Sequence, residues 1–121
     1  MSEMDRIGKR SVLACPDCHG VMWEINEGEL VRYRCHVGHA YSAEVLSLAL
    51  DDNLRRALGS ASRTLDERIA LVKKLEREAN LTGRTQAASS WAAKLREFEQ
   101  QAKVIHDSIR RTEEIASRLV E

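Results

Sequence analysis

Aromatic side chains are scarce: one Phe, two Trp and two Tyr in 121 residues are too few to fill a broad globular core. Net charge is also missing. Nineteen basic and nineteen acidic residues cancel, so no long-range field gathers nucleic acid or anionic lipid, although a local basic patch stays open as a reading. No run approaches the length of a membrane span, and the polar start MSEMDRIGKR lacks the apolar segment of a signal peptide. Cytoplasmic residence is the expectation. No Ser/His/Asp set, phosphate-cradling glycine loop or paired-carboxylate cleft is recognisable, so no catalysis is expected.

What the chain does have is concentrated between Cys15 and His39, which holds all three cysteines and three of the four histidines. In a reducing compartment, three cysteines with two spaced C-x-x-C suit a metal better than disulfides. Cys15, Cys18 and Cys35 supply three ligands. For the fourth, His39 lies four residues after Cys35, where a short second knuckle can turn it back to the same ion. His19 and His36 directly follow cysteines, and adjacent residues seldom reach one tetrahedral ion together. The pattern is C-x2-C, a hairpin-length gap, then C-x3-H, and it points to structural Zn2+, since a tetrahedral ion needs two ligand pairs delivered by two turns. Four protein ligands leave no position for water, which excludes a catalytic ion. The competing readings are buried reduced cysteines with incidental histidines, and a redox C-x-x-C; the second is disfavoured because the motif opens a hairpin instead of a helix.

Around that site, residues 1–10 read as a flexible leader and residues 11–41 as a zinc ribbon. Pro16 pre-sets φ in the first knuckle, and Gly20 permits the tight return. Val21, Trp23 and Ile25 alternate with Met22 and Glu24, and Val31, Tyr33 and Cys35 alternate with Arg32 and Arg34, which predicts two strands with those first-named residues inside. Asn26-Glu27-Gly28-Glu29 supplies turn chemistry between them. Trp23 and Tyr33 are expected in the core, braced by the first turns of the following helix.

From Ser42, the expected N-cap, the period becomes helical. Leu50, Leu54, Leu58, Ala61, Leu65, Ile69, Val72, Leu75 and Ala79 recur every three or four residues, widened at the start by Val45, Leu46, Leu48 and Ala49. Gly59 interrupts the run as a site of close contact or a bend, yet one continuous helix over about 43–79 is expected. Asn80 to Gly83 forms a left-handed stop, with Thr82 or Thr85 capping a second helix over about 84–120. Its seam is Ala88, Trp91, Leu95, Phe98, Ala102, Ile105, Ile109, Thr112, Ala116 and Leu119, a heptad pattern. His106 falls off that seam and reads as solvated. The fold class is therefore a small zinc-ribbon β-hairpin followed by a long antiparallel two-helix hairpin over 42–121, mainly α.

Ala57, Leu71, Ala92, Val104 and Ile115 lie beside the seams, so a second copy could pack there as a homodimeric four-helix bundle. The alternative partner is nucleic acid, contacted by Arg32 and Arg34 with Arg6, Lys9 and Arg10 nearby in sequence. Glu24, Glu27 and Glu29 share that hairpin, which favours a solvated face. No membrane partner is expected.

The stretch CPDCHGVMWEINEGELVRYRCHVGHAYSAEVL resembles the segment that follows the catalytic domain in some bacterial chemotaxis-type protein-glutamate methylesterases. The matching positions are Cys15, Pro16, Cys18, Gly20, Trp23, Arg34, Cys35, Val37, Gly38, His39, Tyr41 and Ser42, and the similarity spans roughly Ala14 to Ala79. It agrees with His39 as a ligand, since the family commonly has another residue at the position of His36. It implies a signalling context and a free-standing accessory domain. It does not imply an esterase, because the receiver and catalytic domains of that family have no counterpart here.

Overall fold

The computed structural model describes residues 4–120. Its elements are α1 (Met4–Ile7), β1 (Lys9–Ala14), β2 (Val21–Glu27), β3 (Leu30–Cys35), β4 (Ala40–Ser42), α2 (Ala43–Leu81) and α3 (Thr85–Val120). The expected class is observed, with the ribbon enlarged to a four-stranded antiparallel sheet in the order β1-β2-β3-β4. Two compact units divide between Asn53 and Leu54.

In the first unit, β2 and β3 are joined by a two-residue turn whose first residue, Gly28, has φ 66°. Positive φ there gives the twist that suits a hairpin. The register pairs Met22 with Cys35 and Glu24 with Tyr33, while Trp23 pairs with Arg34 and Ile25 with Arg32. This reverses the expected phase of β2. Met22, assigned to the outer face by alternation, is fully buried beside Cys15, Cys35 and Leu46, with Leu13, Tyr33, Tyr41 and Leu50 packed around them. Val21, assigned inward, is half exposed.

Trp23 is nonetheless buried, because the opposite face of the sheet is also covered. Its indole N–H donates to Asp5 over 2.9 Å, and the Arg10 guanidinium stacks over its ring. Asp5 in turn accepts from Arg10 Nε and Nη2 over 3.0 and 3.1 Å. The leader reading is therefore corrected over residues 4–10: these residues form α1 and the start of β1, closing one face of the sheet. Residues 1–3 lie outside the described part. Gly8 makes the approach possible, since a Cβ at that position would sit 2.3 Å from the Glu24 carbonyl oxygen. Between Arg10 and Ala14 the ladder is irregular. The Ser11 hydroxyl fills in, donating to the Met22 carbonyl over 2.8 Å and accepting from the Leu13 N–H over 3.1 Å.

Helix α2 starts as expected. Ser42 Oγ accepts from the Val45 N–H over 3.2 Å, the N-cap geometry. Leu46 is the residue that enters the sheet core, whereas Val45 and Leu48, expected beside it, are exposed. The sheet is small enough that one line of side chains along the helix covers it.

In the second unit α2 and α3 run antiparallel, with Ser62 Oγ 3.0 Å from His106 Nε2 and Arg68 stacked on the Phe98 ring. His106 is exposed, as expected, and its ring also reaches across to the other helix. Val72, Ala79, Ala88 and Ala102 are buried, and Leu65, Ile69, Leu75, Trp91, Leu95, Phe98, Ile105, Ile109 and Thr112 are half-buried, so the seam follows the heptad positions. Ala116 and Leu119 lie outside the side chains described. Leu54, placed on the stripe by its period, is about half exposed. Helix α2 runs through Gly59, which meets no neighbour: a Cβ there would find nothing within 4 Å.

At the turn, Gly83 takes φ 75° and Arg84 N–H donates to the Ala79 carbonyl over 2.8 Å, a left-handed helix stop. Thr82 serves α2 and does not cap α3, donating its hydroxyl to the Glu78 carbonyl over 2.9 Å. Thr85 Oγ donates to the Gly83 carbonyl over 3.4 Å.

Candidate metal centre

Two short turns present the four expected donors. In the first, Cys15 N–H donates to the Gly20 carbonyl and His19 N–H to the Cys15 carbonyl, each over 2.8 Å. The turn is tightened by His19 and not by Gly20: His19 has φ 62°, a left-handed conformation unusual for a residue with a Cβ. In the second, Cys35 N–H donates to the His39 carbonyl over 2.9 Å and Gly38 N–H to the Cys35 carbonyl over 3.2 Å. Gly38, with φ 112°, occupies a conformation essentially closed to other residues.

The turns bring Cys15 Sγ, Cys18 Sγ, Cys35 Sγ and a His39 ring nitrogen within 4.8 Å of one another. His39 Nδ1 lies 3.3 Å from Cys35 Sγ and 3.6 Å from Cys15 Sγ. A tetrahedral ion with metal–sulfur bonds of about 2.3 Å and a metal–nitrogen bond of about 2.0 Å separates such donors by about 3.6 Å. The cysteines form no disulfide. The donor set therefore fits a metal ion, with Nδ1 the His39 nitrogen facing the sulfurs. His19 and His36 stay outside; the His36 ring lies 6.4 Å from that of Trp23.

Electrostatics favour thiolate at the second knuckle. Burial pushes the Cys35 thiol up, but the His39 N–H, the Cys18 side chain and the Val37 and Gly38 N–H groups outweigh it and bring it down to about 6. His39 N–H lies 3.3 Å from Cys35 Sγ. For Cys18 the Gly20 N–H pulls downward, yet desolvation and the Cys35 and Cys15 thiols together raise it. Three sulfurs so close resist joint ionisation, and a cation among them removes the conflict. Cys15 and Cys35 are buried, His39 is half-buried and Cys18 is exposed, so solvent approaches the site most closely on the Cys18 side.

An outer contact lay beyond the spacing argument. The Tyr41 hydroxyl donates to Asp17 Oδ2, tying β4 to the first knuckle between Cys15 and Cys18, and this bond raises the Tyr41 pKa. Nothing in the spacing of Asp17 and Tyr41 announces the pair, although Tyr41 falls within the motif that carries the methylesterase resemblance. Comparison with protein-family models, curated proteins and solved structures finds no match to this chain.

Proposed function

We propose that the chain is a zinc-stabilised protein-interaction module of bacterial chemosensory-type signalling, acting in the cytoplasm by binding and without catalysis of its own. The observation that carries this reading is the convergence of Cys15, Cys18, Cys35 and His39 within 4.8 Å. Three thiolates and an imidazole suit Zn2+ among the common divalent ions, and four protein donors complete its tetrahedral shell. Bound zinc would carry a net charge of −1 there, offset by the N–H groups aimed at the sulfurs, and would supply structure and no reaction.

The signalling context comes from the resemblance of residues 14–79 to the segment after the methylesterase catalytic domain. The interaction role is supported by Leu71, Val104 and Ile115, which stand exposed on the helical hairpin. The nucleic-acid reading gains nothing comparable: Arg10 is engaged by Asp5, and Arg32 lies 3.8 Å from Glu27.

Affinity capture from the native host, comparing the wild type with Leu71→Glu, tests the assignment. Recovery of chemosensory components that is lost in the variant supports it. Recovery of none, from cells expressing those components, contradicts the signalling part.

A further inference from the structure

We propose that the α2–α3 hairpin buries one side against a second copy of itself, with the two-fold axis running along the hairpin. This deepens the interaction reading above by naming the partner and the surface.

The two sides of the hairpin differ. On one, two adjoining hollows of about 510 and 420 Å³ share Leu65 and Gln101, the first also reaching Val104 and the second Ala61 and Thr64. On the other, Asp66, Glu99, Lys103, His106 and Asp107 surround a smaller hollow of about 300 Å³ floored by Ile69 and Ala102. By helical period Ala57, Thr64 and Leu71 fall on the first side of α2, and Gln101, Val104 and Ile115 on the first side of α3. Leu71, Val104 and Ile115 are 56%, 60% and 57% exposed. A hairpin whose buried residues, among those described, are Val72 and three alanines keeps much of its apolar surface wet.

The surface is self-complementary when the axis runs along the hairpin, because α2 of one copy then faces α3 of the other at the same height. Heights follow from the contacts of Ser62 with His106 and of Arg68 with Phe98. Counting outward from these, Val104 of one copy meets the small residues Ser60, Ala61 and Thr64 of the other. Arg68 of one copy comes level with Glu97 of the other, twice by symmetry. An axis across the hairpin at this height would instead set Arg68 against its own copy. The size is also sufficient. Helices paired from Leu54 to the turn give a face about 40 Å long and 20 Å wide, about 800 Å² per copy, the amount a standard stable interface needs. With no net charge on the chain, self-association meets no overall repulsion.

Sedimentation equilibrium at micromolar concentration tests the arrangement. The wild type is expected as a dimer. Val104→Arg, at an exposed position that keeps its helix content by circular dichroism, is expected to weaken it about 100-fold, since symmetry applies each change twice. Arg68→Glu and Glu97→Arg should each weaken the dimer, and the doubly exchanged chain should recover it. A monomeric wild type overturns the proposal, whichever other protein occupies the surface; so does a dimer indifferent to Val104→Arg, or an exchange that fails to rescue. Zinc content measured on the same samples separates the two readings: a zinc-loaded monomer overturns this inference alone, and a metal-free dimer overturns the zinc reading alone.

Discussion

At the scale of single residues, two backbone positions and one thiol lead to direct tests. His19 holds φ 62° in the first knuckle, at a cost of about 1 kcal/mol that glycine would not incur. His19→Gly is therefore expected to raise the denaturation midpoint of the metal-loaded ribbon without changing metal content; a lower midpoint would mean that the imidazole contributes a contact of its own. Gly8→Ala should act oppositely, since its Cβ would press on the Glu24 carbonyl, destabilising the ribbon by about 1–3 kcal/mol. The pH dependence follows from Cys35. Its pKa near 6 lies below the ordinary thiol value, so the thiolate that metal binding needs is present above that pH and is lost as pH falls through it. A bound cation lowers it further. Zinc release followed with a coloured chelator should accordingly be complete once pH has fallen below about 6, and a Cys35 that alkylates at pH 7 no faster than an ordinary thiol in the metal-free chain would contradict the N–H support seen at this sulfur.

At the scale of elements, the proposed zinc would matter far more to the ribbon than to the helices. Its innermost cluster is Cys15, Met22, Cys35 and Leu46, and two of those four belong to the group that could hold a metal. Cys18→Ser and Cys35→Ser are each expected to lose the metal and disorder the sheet while α3 and the later turns of α2 persist. Amide exchange that rises in β1 to β4 alone would show it; exchange rising throughout would show one cooperative unit instead. What could be read in advance divides along the same line. The grouping of Cys15, Cys18, Cys35 and His39 followed from spacing, because two short turns suffice to bring four such side chains together. Both long helices and Ser42 as N-cap followed from an apolar period sustained over many turns. Strand phase did not. Alternation in β2 cannot say which face is inside when both faces are covered, and α1, whose Asp5 covers Trp23 together with Arg10 of β1, is a four-residue element without any periodic signal. The Asp17–Tyr41 contact was equally hidden, since it joins residues distant in sequence through side chains common on any surface.

At the scale of the whole molecule, labour is divided on the proposed reading: a metal would fix the small unit, and the long hairpin would offer the surface for binding. The composition already carries that division. Few aromatics and balanced charge suit a narrow helical seam, and the cysteines and most of the histidines are reserved for one turn-rich segment. The central claim is that Cys15, Cys18, Cys35 and His39 hold one zinc ion with no open position, and X-ray absorption on purified, quantified protein tests it most directly. The expected result is one zinc per chain with three sulfur neighbours at about 2.3 Å and one nitrogen at about 2.0 Å. A chain without stoichiometric zinc, or a zinc with a water oxygen in place of one of these donors, would contradict it.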